Sequence, residues 1–95
     1  MHTAISLLKK IPKGKVVTYK EMARACSTSP RAIGRIMAHN SDPIRFPCYK
    51  VVASTGALTG YSGPGGIRRK KELLEKDGIT FLKGFVEKKY FHTFS

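Results

Sequence analysis

The stretch VTYKEMARACSTSPRAIGRIMA, residues 17–38, carries the start and stop signals of two short helices joined by a tight turn. Thr18 and Glu21 have the spacing of a capping box, in which a threonine side chain accepts a hydrogen bond from the third helical residue. Ser29 and Pro30 form a second start signal, because serine caps helices and proline suits their first position. The stretch therefore predicts a helix-turn-helix whose second helix ends with the quoted residues.

The two predicted helices differ in what their faces are expected to contact. The first helix has a stripe that we expect to be buried, consisting of Met22, Ala25 and Cys26. The second contains Gly34, which costs roughly 1 kcal/mol of helix stability relative to alanine, so something is expected to approach its backbone closely. Tight packing against another helix is one explanation. Arg31 and Arg35, one turn apart on the same helix, favour a DNA groove as the other.

Weaker signals before and after residues 17–38 predict the rest of a mostly α-helical fold with small β-hairpins. The expected elements are a short helix capped by Thr3, a hairpin joining Val51–Val52 to Ala57–Leu58, a helix over Ile67–Lys76, and a hairpin over Ile79–Val86 that turns at Lys83–Gly84. The consecutive cations at residues 68–71 fit either a solvated helix face or a surface that binds phosphates. No repeat or linker divides the sequence, so we expect a single domain over residues 1–95.

The charge of the chain favours nucleic acid as its partner. Eighteen Lys and Arg against six Asp and Glu give the 95 residues a formal net charge of +12, which is self-repelling unless an anion lies nearby. A membrane surface is the rival partner, but the sequence has no apolar run of about twenty residues and its cations are spread over several elements. We therefore expect DNA binding that weakens as salt is added, and no membrane association.

The cysteines and histidines limit the chemistry. Cys26 and Cys48 are the only cysteines, and two thiols without a secretion signal fit a reducing compartment, in the cytoplasm or in the nucleus on the chromosome. The histidines do not stand at ligand spacing from the cysteines, so we expect no metal site and no cofactor. Cys26 lies on the apolar stripe of the first helix and is expected in the core, which leaves Cys48 as the candidate nucleophile.

Five short motifs follow one another along the chain. They are Val16–Tyr19, Arg31–Gly34 followed by Asn40, Pro47–Val51, Gly60–Gly63, and Leu73–Leu74 ahead of Asp77–Gly78. In this order they resemble the C-terminal domain of O6-alkylguanine-DNA alkyltransferases and of the related alkyltransferase-like proteins, over about residues 4–78. The resemblance implies a winged-helix-like helix-turn-helix domain, and we expect the separate N-terminal domain of longer members to be absent. Residues 79–95 carry no assigned motif.

The resemblance implies a repair protein that enters the minor groove of duplex DNA and rotates O6-alkylguanine out of the stack into a pocket. Arg31 matches the arginine that fills the vacated position, and Tyr19 matches the tyrosine that presses on the neighbouring phosphate. The residues expected to contact DNA are Arg31, Ala32, Gly34, Arg35 and Lys50. The residues expected to bind the flipped base are Tyr19, Met37, Pro43, Val51, Tyr61, Ser62 and Gly63.

Cys48 matches the nucleophile of the family, which takes the alkyl group by direct displacement and keeps it as a thioether, so that each molecule acts once. In the family a histidine after the cysteine relays the proton through water to a glutamate, and here these residues are Tyr49 and Asp77. A neutral phenol is a weaker base than imidazole, so we expect slower activation. Because tyrosine is longer and aspartate shorter, a water-mediated relay from Tyr49 to Asp77 is our hypothesis. Asn40 matches an asparagine that ties the recognition helix to the active-site loop.

Three functions remain open on the sequence. The first is a single-turnover DNA methyltransferase, which the retained Cys48 favours. The second is a sensor of the alkyltransferase-like type, which holds O6-alkylguanine without reacting and recruits other repair factors; such proteins usually carry tryptophan or alanine in place of the cysteine. The third is a regulatory helix-turn-helix protein with an ordinary buried cysteine, which leaves the pocket motifs unexplained. We expect a monomer.

Overall fold

The computed structural model describes residues 3–39, 46–58 and 66–94. Within these ranges the helices are α1 (Thr3–Leu7), α2 (Tyr19–Cys26), α3 (Pro30–Ala38) and α4 (Gly66–Lys76), and the strands are β1 (Val17–Thr18), β2 (Val51–Val52), β3 (Phe81–Leu82) and β4 (Phe85–Val86). Short 3-10 turns cover Leu8–Lys10, Cys48–Lys50 and Lys88–Tyr90. The predicted class, mostly helical with small pairs of strands, is confirmed.

The helix-turn-helix begins and turns where its sequence signals predict. Thr18 Oγ1 accepts a hydrogen bond from Glu21 N at 3.0 Å, and Ser29 Oγ accepts one from Ala32 N at 3.1 Å. α2 ends at Cys26, and the left-handed φ of 53° at Ser27 redirects the chain toward α3. Both helix starts are thus fixed by side chains that satisfy backbone N–H groups which no helical carbonyl reaches.

The carboxylate of Glu21 ties α2 to the end of the chain. Its Oε2 atom accepts a hydrogen bond from Phe94 N at 2.8 Å, while Arg24 donates both to this carboxylate and to the Phe94 carbonyl. The hydrogen bond from Arg24 is the main cause that holds the pKa of Glu21 below its usual value. The second half of the predicted capping box is therefore replaced, because the Glu21 side chain binds the C-terminal segment rather than turning back to Thr18.

The core of the described part of the chain consists of two apolar clusters. The first lies between α1, α2, α3 and β2 and includes Leu8, Met22, Ile33, Met37, Cys48 and Val51. The second consists of Val16, Val52, Leu74, Ile79 and Val86. In α2, Met22 is buried and Cys26 packs against the first cluster, as predicted, but Ala25 is exposed and Ala23 is buried instead. The reason is geometric: Ala25 lies roughly 100° around the helix axis from the middle of the face shared by the other three residues.

The strand that follows Cys48 pairs with the start of the helix-turn-helix. β1 and β2 are parallel neighbours, in a register that sets Val17 against Val51. The predicted turn forms and is closed by a hydrogen bond from Ala53 N to Ala57 O at 3.0 Å. Residues 57–58 are not a strand, so the prediction that they pair with β2 is wrong. This parallel pair matters for the site, because it brings together two segments that are far apart in sequence.

Gly56 joins the turn after β2 to the second strand pair. Its carbonyl accepts a hydrogen bond from Val86 N at 2.9 Å. Its φ is +90°, and a Cβ atom added to it would lie 2.3 Å from the Val86 carbonyl oxygen. Contact of the turn with β4 thus replaces the hairpin that the sequence predicts after β2.

The C-terminal hairpin forms as predicted, and the residues after it lie against β1. β3 and β4 are antiparallel, and the turn residues Lys83 and Gly84 have φ values of 53° and 84°, which suit a two-residue type I′ turn. Further on, Val16 N donates to Tyr90 O at 2.8 Å, and His92 N donates to Val16 O at 2.7 Å. Residues 79–94, for which no motif is assigned, therefore contribute to the frame that holds β1.

We expect Gly56→Ala to destabilise the protein much more than Gly84→Ala. The two glycines have similar left-handed φ values, but a Cβ atom would meet the backbone of β4 at Gly56 and nothing within 4 Å at Gly84. Urea unfolding is expected to show a loss of roughly 1 to 2 kcal/mol for Gly84→Ala, from the φ value alone, and at least about twice that loss for Gly56→Ala. Equal losses would mean that the contact with β4 adjusts without cost.

Candidate functional site

Cys48 begins the 3-10 turn Cys48–Lys50, here named the cysteine turn. Cys48 N donates to Phe46 O at 2.8 Å, and Lys50 N donates to Pro47 O at 3.1 Å. The turn continues directly into β2, so the pairing with β1 fixes it beside the start of α2. Cys48 is 8% exposed, and its side chain belongs to the first apolar cluster. Because little of the thiol faces solvent, a reactant has to be delivered to it.

Lys50 and Asp77 form a largely buried ion pair. The Lys50 ammonium lies 2.8 Å from Asp77 Oδ2 and also donates to the Pro12 carbonyl at 3.1 Å. Asp77 Oδ2 in turn accepts a hydrogen bond from Gly14 N at 2.9 Å. The prediction that Lys50 contacts DNA does not fit this placement, because its ammonium points inward to a carboxylate and a carbonyl. The Asp77 carboxylate likewise holds the loop before β1 in place.

The side chains of Cys48 and Tyr49 point into different parts of the core. Cys48 packs in the first cluster, whereas the half-buried Tyr49 packs against the second. A relay from Tyr49 through water to Asp77 therefore stays a prediction. The structure gives Asp77 Oδ2 two direct partners, Lys50 and the Gly14 amide.

A second buried lysine lies next to the cysteine turn. Lys70 of α4 is 1% exposed, and its ammonium donates to the Val51 carbonyl at 2.6 Å. The same nitrogen lies 5.8 Å from the centre of the Tyr19 ring. Burial lowers the pKa of Lys70 to about 8, and the negative charge of the Cys48 thiolate opposes this by raising it. Lys70 thus lies between β2, whose Val51 carbonyl it binds, and the Tyr19 ring at the start of α2.

Sequence reasoning missed Lys70 because it lies within four consecutive cations. Both readings of residues 68–71 placed the whole run in contact with solvent or phosphate, yet Lys70 is buried while Arg68 and Lys71 are exposed. One signal was available: Lys70 is four residues before Leu74, which is fully buried. Residues at this spacing share a helix face, so a buried Leu74 predicts that residue 70 faces the core as well.

An open groove lies where α2 and α3 meet the turn after β2. It is lined by Tyr19, Lys20, Pro30, Arg31, Gly34, Ala53 and Ser54. Arg31 and Arg35 are exposed and Ala32 is half-buried. A Cβ atom on Gly34 would meet no atom within 4 Å, so the explanation by packing against another helix is not supported within the described residues. Among the described residues, nothing occupies the surface of α3 at Gly34.

The remaining predicted site residues fall into two groups. Met37 is buried in the first cluster together with Cys48 and Val51, so these predicted pocket residues are brought together. The other group lies outside the described residues and consists of Asn40, Pro43, Tyr61, Ser62 and Gly63. The described part of the site therefore comprises the Cys48 thiol, the neighbouring Met37 and Val51, and the helix-turn-helix.

Two kinds of feature are absent from residues 3–39, 46–58 and 66–94. No group of three or more His, Cys, Asp or Glu side chains that could hold a metal ion occurs there. None of the helices in these ranges has the length and apolar character needed to cross a membrane.

Comparison with known proteins gives a family match over most of the chain. Residues 1–79 match the family model described as 6-O-methylguanine DNA methyltransferase, DNA binding domain. Methylated-DNA–protein-cysteine methyltransferases of Thermococcus kodakarensis and Pyrobaculum aerophilum are each 47% identical, over 73 and 68 residues. These matches cover 77% and 72% of this chain but 40% and 45% of the relatives. The chain thus spans less than half the length of these curated relatives.

Solved structures of two kinds are similar to the fold. S. pombe Atl1, in a complex with damaged DNA containing O6-carboxymethylguanine, has a TM-score of 0.80 at 26% identity and covers 95% of this chain and 91% of its own. The O6-methylguanine-DNA methyltransferase of Pyrococcus kodakaraensis has a TM-score of 0.73 at 44% identity and covers 80% of this chain and 44% of its own. The fold is therefore shared by both kinds of protein.

The pKa of Lys70 predicts a pH dependence of stability that Lys70→Gln removes. Below about pH 8 the residue is protonated in both the folded and the unfolded chain. Between about pH 8 and its ordinary value of 10.5 the unfolded chain binds more protons, so the free energy of unfolding rises with pH. From pH 8 to 10, the free energy of unfolding of the parent protein is therefore expected to rise relative to that of Lys70→Gln, by up to roughly 1.4 kcal/mol per pH unit. Urea unfolding at each pH measures both values. Parallel pH curves would contradict it.

Proposed function

This chain belongs to the family of the 6-O-methylguanine DNA methyltransferase DNA-binding domain, and from this membership we propose that it binds duplex DNA and transfers the alkyl group of O6-alkylguanine to Cys48. The protein would thereby act in DNA repair. The observation that carries the proposal is the parallel pairing of β1 with β2, which sets a buried cysteine beside the start of a helix-turn-helix. The sensor and the enzyme both need the helix-turn-helix, but only the enzyme needs this thiol.

Binding to DNA is supported by charge and by the open surface of α3. The chain carries a net charge of +12, and Arg31 and Arg35 are exposed on α3. Gly34, between them, leaves room for a groove wall or sugar to approach the helix backbone. Arg31 and Tyr19 line the same groove, which suits an arginine that stacks in the duplex and a tyrosine that contacts a phosphate nearby.

The burial of Cys48 supports base flipping. The thiol lies in the apolar core, so a guanine within a stacked duplex cannot reach it and must be rotated out first, at a cost of a few kcal/mol. The Cys48 sulfur then attacks the alkyl carbon, the bond between that carbon and guanine O6 breaks, and a thioether forms. The thiol proton passes to solvent, and the departing guanine takes up one proton. No step regenerates the thiol, so each molecule reacts once.

A second candidate function is recognition of the lesion without reaction. The similarity to Atl1 favours it, because this similarity runs over nearly the whole of both chains. Tyr49 in place of the family histidine also favours it, since a neutral phenol is a poor proton acceptor. The same binding surface would then hold O6-alkylguanine and present it to another repair protein.

Intact-mass analysis after incubation with duplex DNA containing one O6-methylguanine separates the two functions. The enzyme is expected to gain one methyl group, which peptide mapping places on Cys48. Cys48→Ala should gain none, and the matched control Cys26→Ala should gain as much as the parent protein, because Cys26 only packs against the core. Unmodified protein that still prefers the lesion duplex would leave the sensor function. Equal binding to damaged and undamaged DNA would contradict both.

Arg31 variants test the proposed contact with DNA. Arg31→Lys keeps the charge but not the planar group that stacks on bases, so we expect the slope of log affinity against log salt to stay unchanged while methyl transfer falls about tenfold. Arg31→Ala should also reduce the salt slope by about one. Arg68→Ala, at an exposed position of α4 outside the groove, is the matched control. If Arg31→Lys transfers methyl groups at the parent rate, Arg31 contacts phosphate and does not stack.

A further inference from the structure

The C-terminal hairpin is apolar on both of its faces. Successive side chains of a strand point to opposite faces, and the register sets Phe81 against Val86 and Leu82 against Phe85. Val86 is part of the second apolar cluster, and Phe81 packs against it. Leu82 and Phe85 form the opposite face, here named the outer face, where they are 60% and 45% exposed. Antiparallel strands usually carry polar side chains on the face that meets solvent, so the outer face lacks the residues of an ordinary solvated surface.

The charge beside the outer face is positive. Lys83 is exposed in the turn that joins Leu82 to Phe85. Residues 79–94 contain three lysines and one glutamate, and the carboxylate of that glutamate already lies 3.9 Å from the Lys89 ammonium. The hairpin therefore presents two large apolar side chains with a cation between them in sequence.

The backbone of the turn does not call for a lysine. Lys83 has a φ of 53°, in the left-handed region, and the pair that type I′ turns favour is asparagine followed by glycine. Gly84 supplies the second residue of this pair, whereas lysine adopts the left-handed conformation less readily than asparagine does. What Lys83 adds to the turn is its charge.

Two kinds of partner fit the outer face poorly. Phosphates of DNA would attract Lys83 but would leave Leu82 and Phe85 against a charged, hydrated backbone, and no residue of the hairpin lines the groove at α2 and α3. A second copy of the chain would bring together two net charges of +12, which repel each other. A protein segment with apolar and acidic side chains complements both the apolar pair and the lysine.

We propose that the outer face of the hairpin binds a segment of another protein in which acidic residues alternate with large apolar ones. Burial of Leu82 and Phe85 supplies most of the affinity, because exposed apolar pairs of this kind gain most when water is excluded from them. Lys83 pairs with a carboxylate at the rim, where a charge contributes to orientation and to the association rate. The hairpin contributes no residue to the groove, so this proposal does not depend on methyl transfer to Cys48.

Two pools of short synthetic peptides test the proposal by fluorescence polarisation. In the acidic pool Asp or Glu alternates with Leu or Phe, and in the basic pool Lys or Arg replaces the acids. We expect the acidic pool to bind the full chain more tightly than about 1 mM. The double variant Leu82→Thr with Phe85→Thr, which keeps residues suited to strands, should bind it at least about tenfold more weakly. Ile67→Thr, at an exposed apolar position of α4, is the matched control and should bind like the parent protein.

Lys83→Asn tests the charge in a hairpin whose turn is strengthened, so it applies even if the double variant does not fold. Asparagine suits the left-handed conformation and precedes Gly84. We expect the acidic pool to bind about threefold more weakly at low salt, and this difference to disappear in about 1 M salt. Lys10→Asn, at an exposed position in the 3-10 turn after α1, removes the same charge elsewhere and should leave binding unchanged.

Four results would overturn the proposal. They are no binding of the acidic pool, equal binding of the two pools, parent-like binding by the double variant, and a loss in Lys83→Asn that Lys10→Asn shows as well. Weaker binding of duplex DNA by the double variant would assign the outer face to DNA instead. A dimer of the parent protein in sedimentation equilibrium, lost in the double variant, would assign the outer face to a second copy.

Discussion

The parallel pairing of Val17–Thr18 with Val51–Val52 is the constraint on which the site depends. Thr18 caps α2, and the cysteine turn ends at Lys50, directly before β2, so two residues on each strand connect the helix-turn-helix to the thiol. Strands this short form few hydrogen bonds. The pairing is stabilised mainly by burial of apolar side chains, because Val17, Val51 and Val52 are all fully buried. Burial of each such side chain contributes roughly 1.5 to 3 kcal/mol to folding. α3 and the cysteine turn thereby share one buried support.

Local signals in the sequence predict the helices and the last hairpin well. Thr18, Ser29 and Pro30 mark their helix starts by side-chain geometry that depends on neighbours a few residues away, and the turn at Lys83–Gly84 depends on backbone conformation alone. The partner of β2 was mispredicted because nothing within its own segment specifies a strand that lies far away in sequence. The candidate thiol and the exposed arginines of α3 were found from motifs. The roles of the buried lysines required the tertiary structure.

The two buried lysines show why a run of cations cannot be assigned to the surface by composition. Lys50 gains a carboxylate partner and Lys70 gains a carbonyl, and the cost of removing each ammonium from water differs accordingly. The pair at Lys50 fixes the loops before β1 and after α4 to the cysteine turn. The lysine on α4 keeps a charge in a place with little solvent, which is costly for folding.

The segment after the last hairpin has a consequence for solubility. Phe91 pairs with Val16 beside β1, and the flanking amides and carbonyls of Tyr90 and His92 bond to the same residue. The side of the β1 segment that does not face β2 is thereby covered by the protein's own backbone. Uncovered strand edges recruit strands of other molecules and lead to aggregation. A segment without any assigned motif thus covers the backbone at Val16, which removes one place where a strand of another molecule could pair.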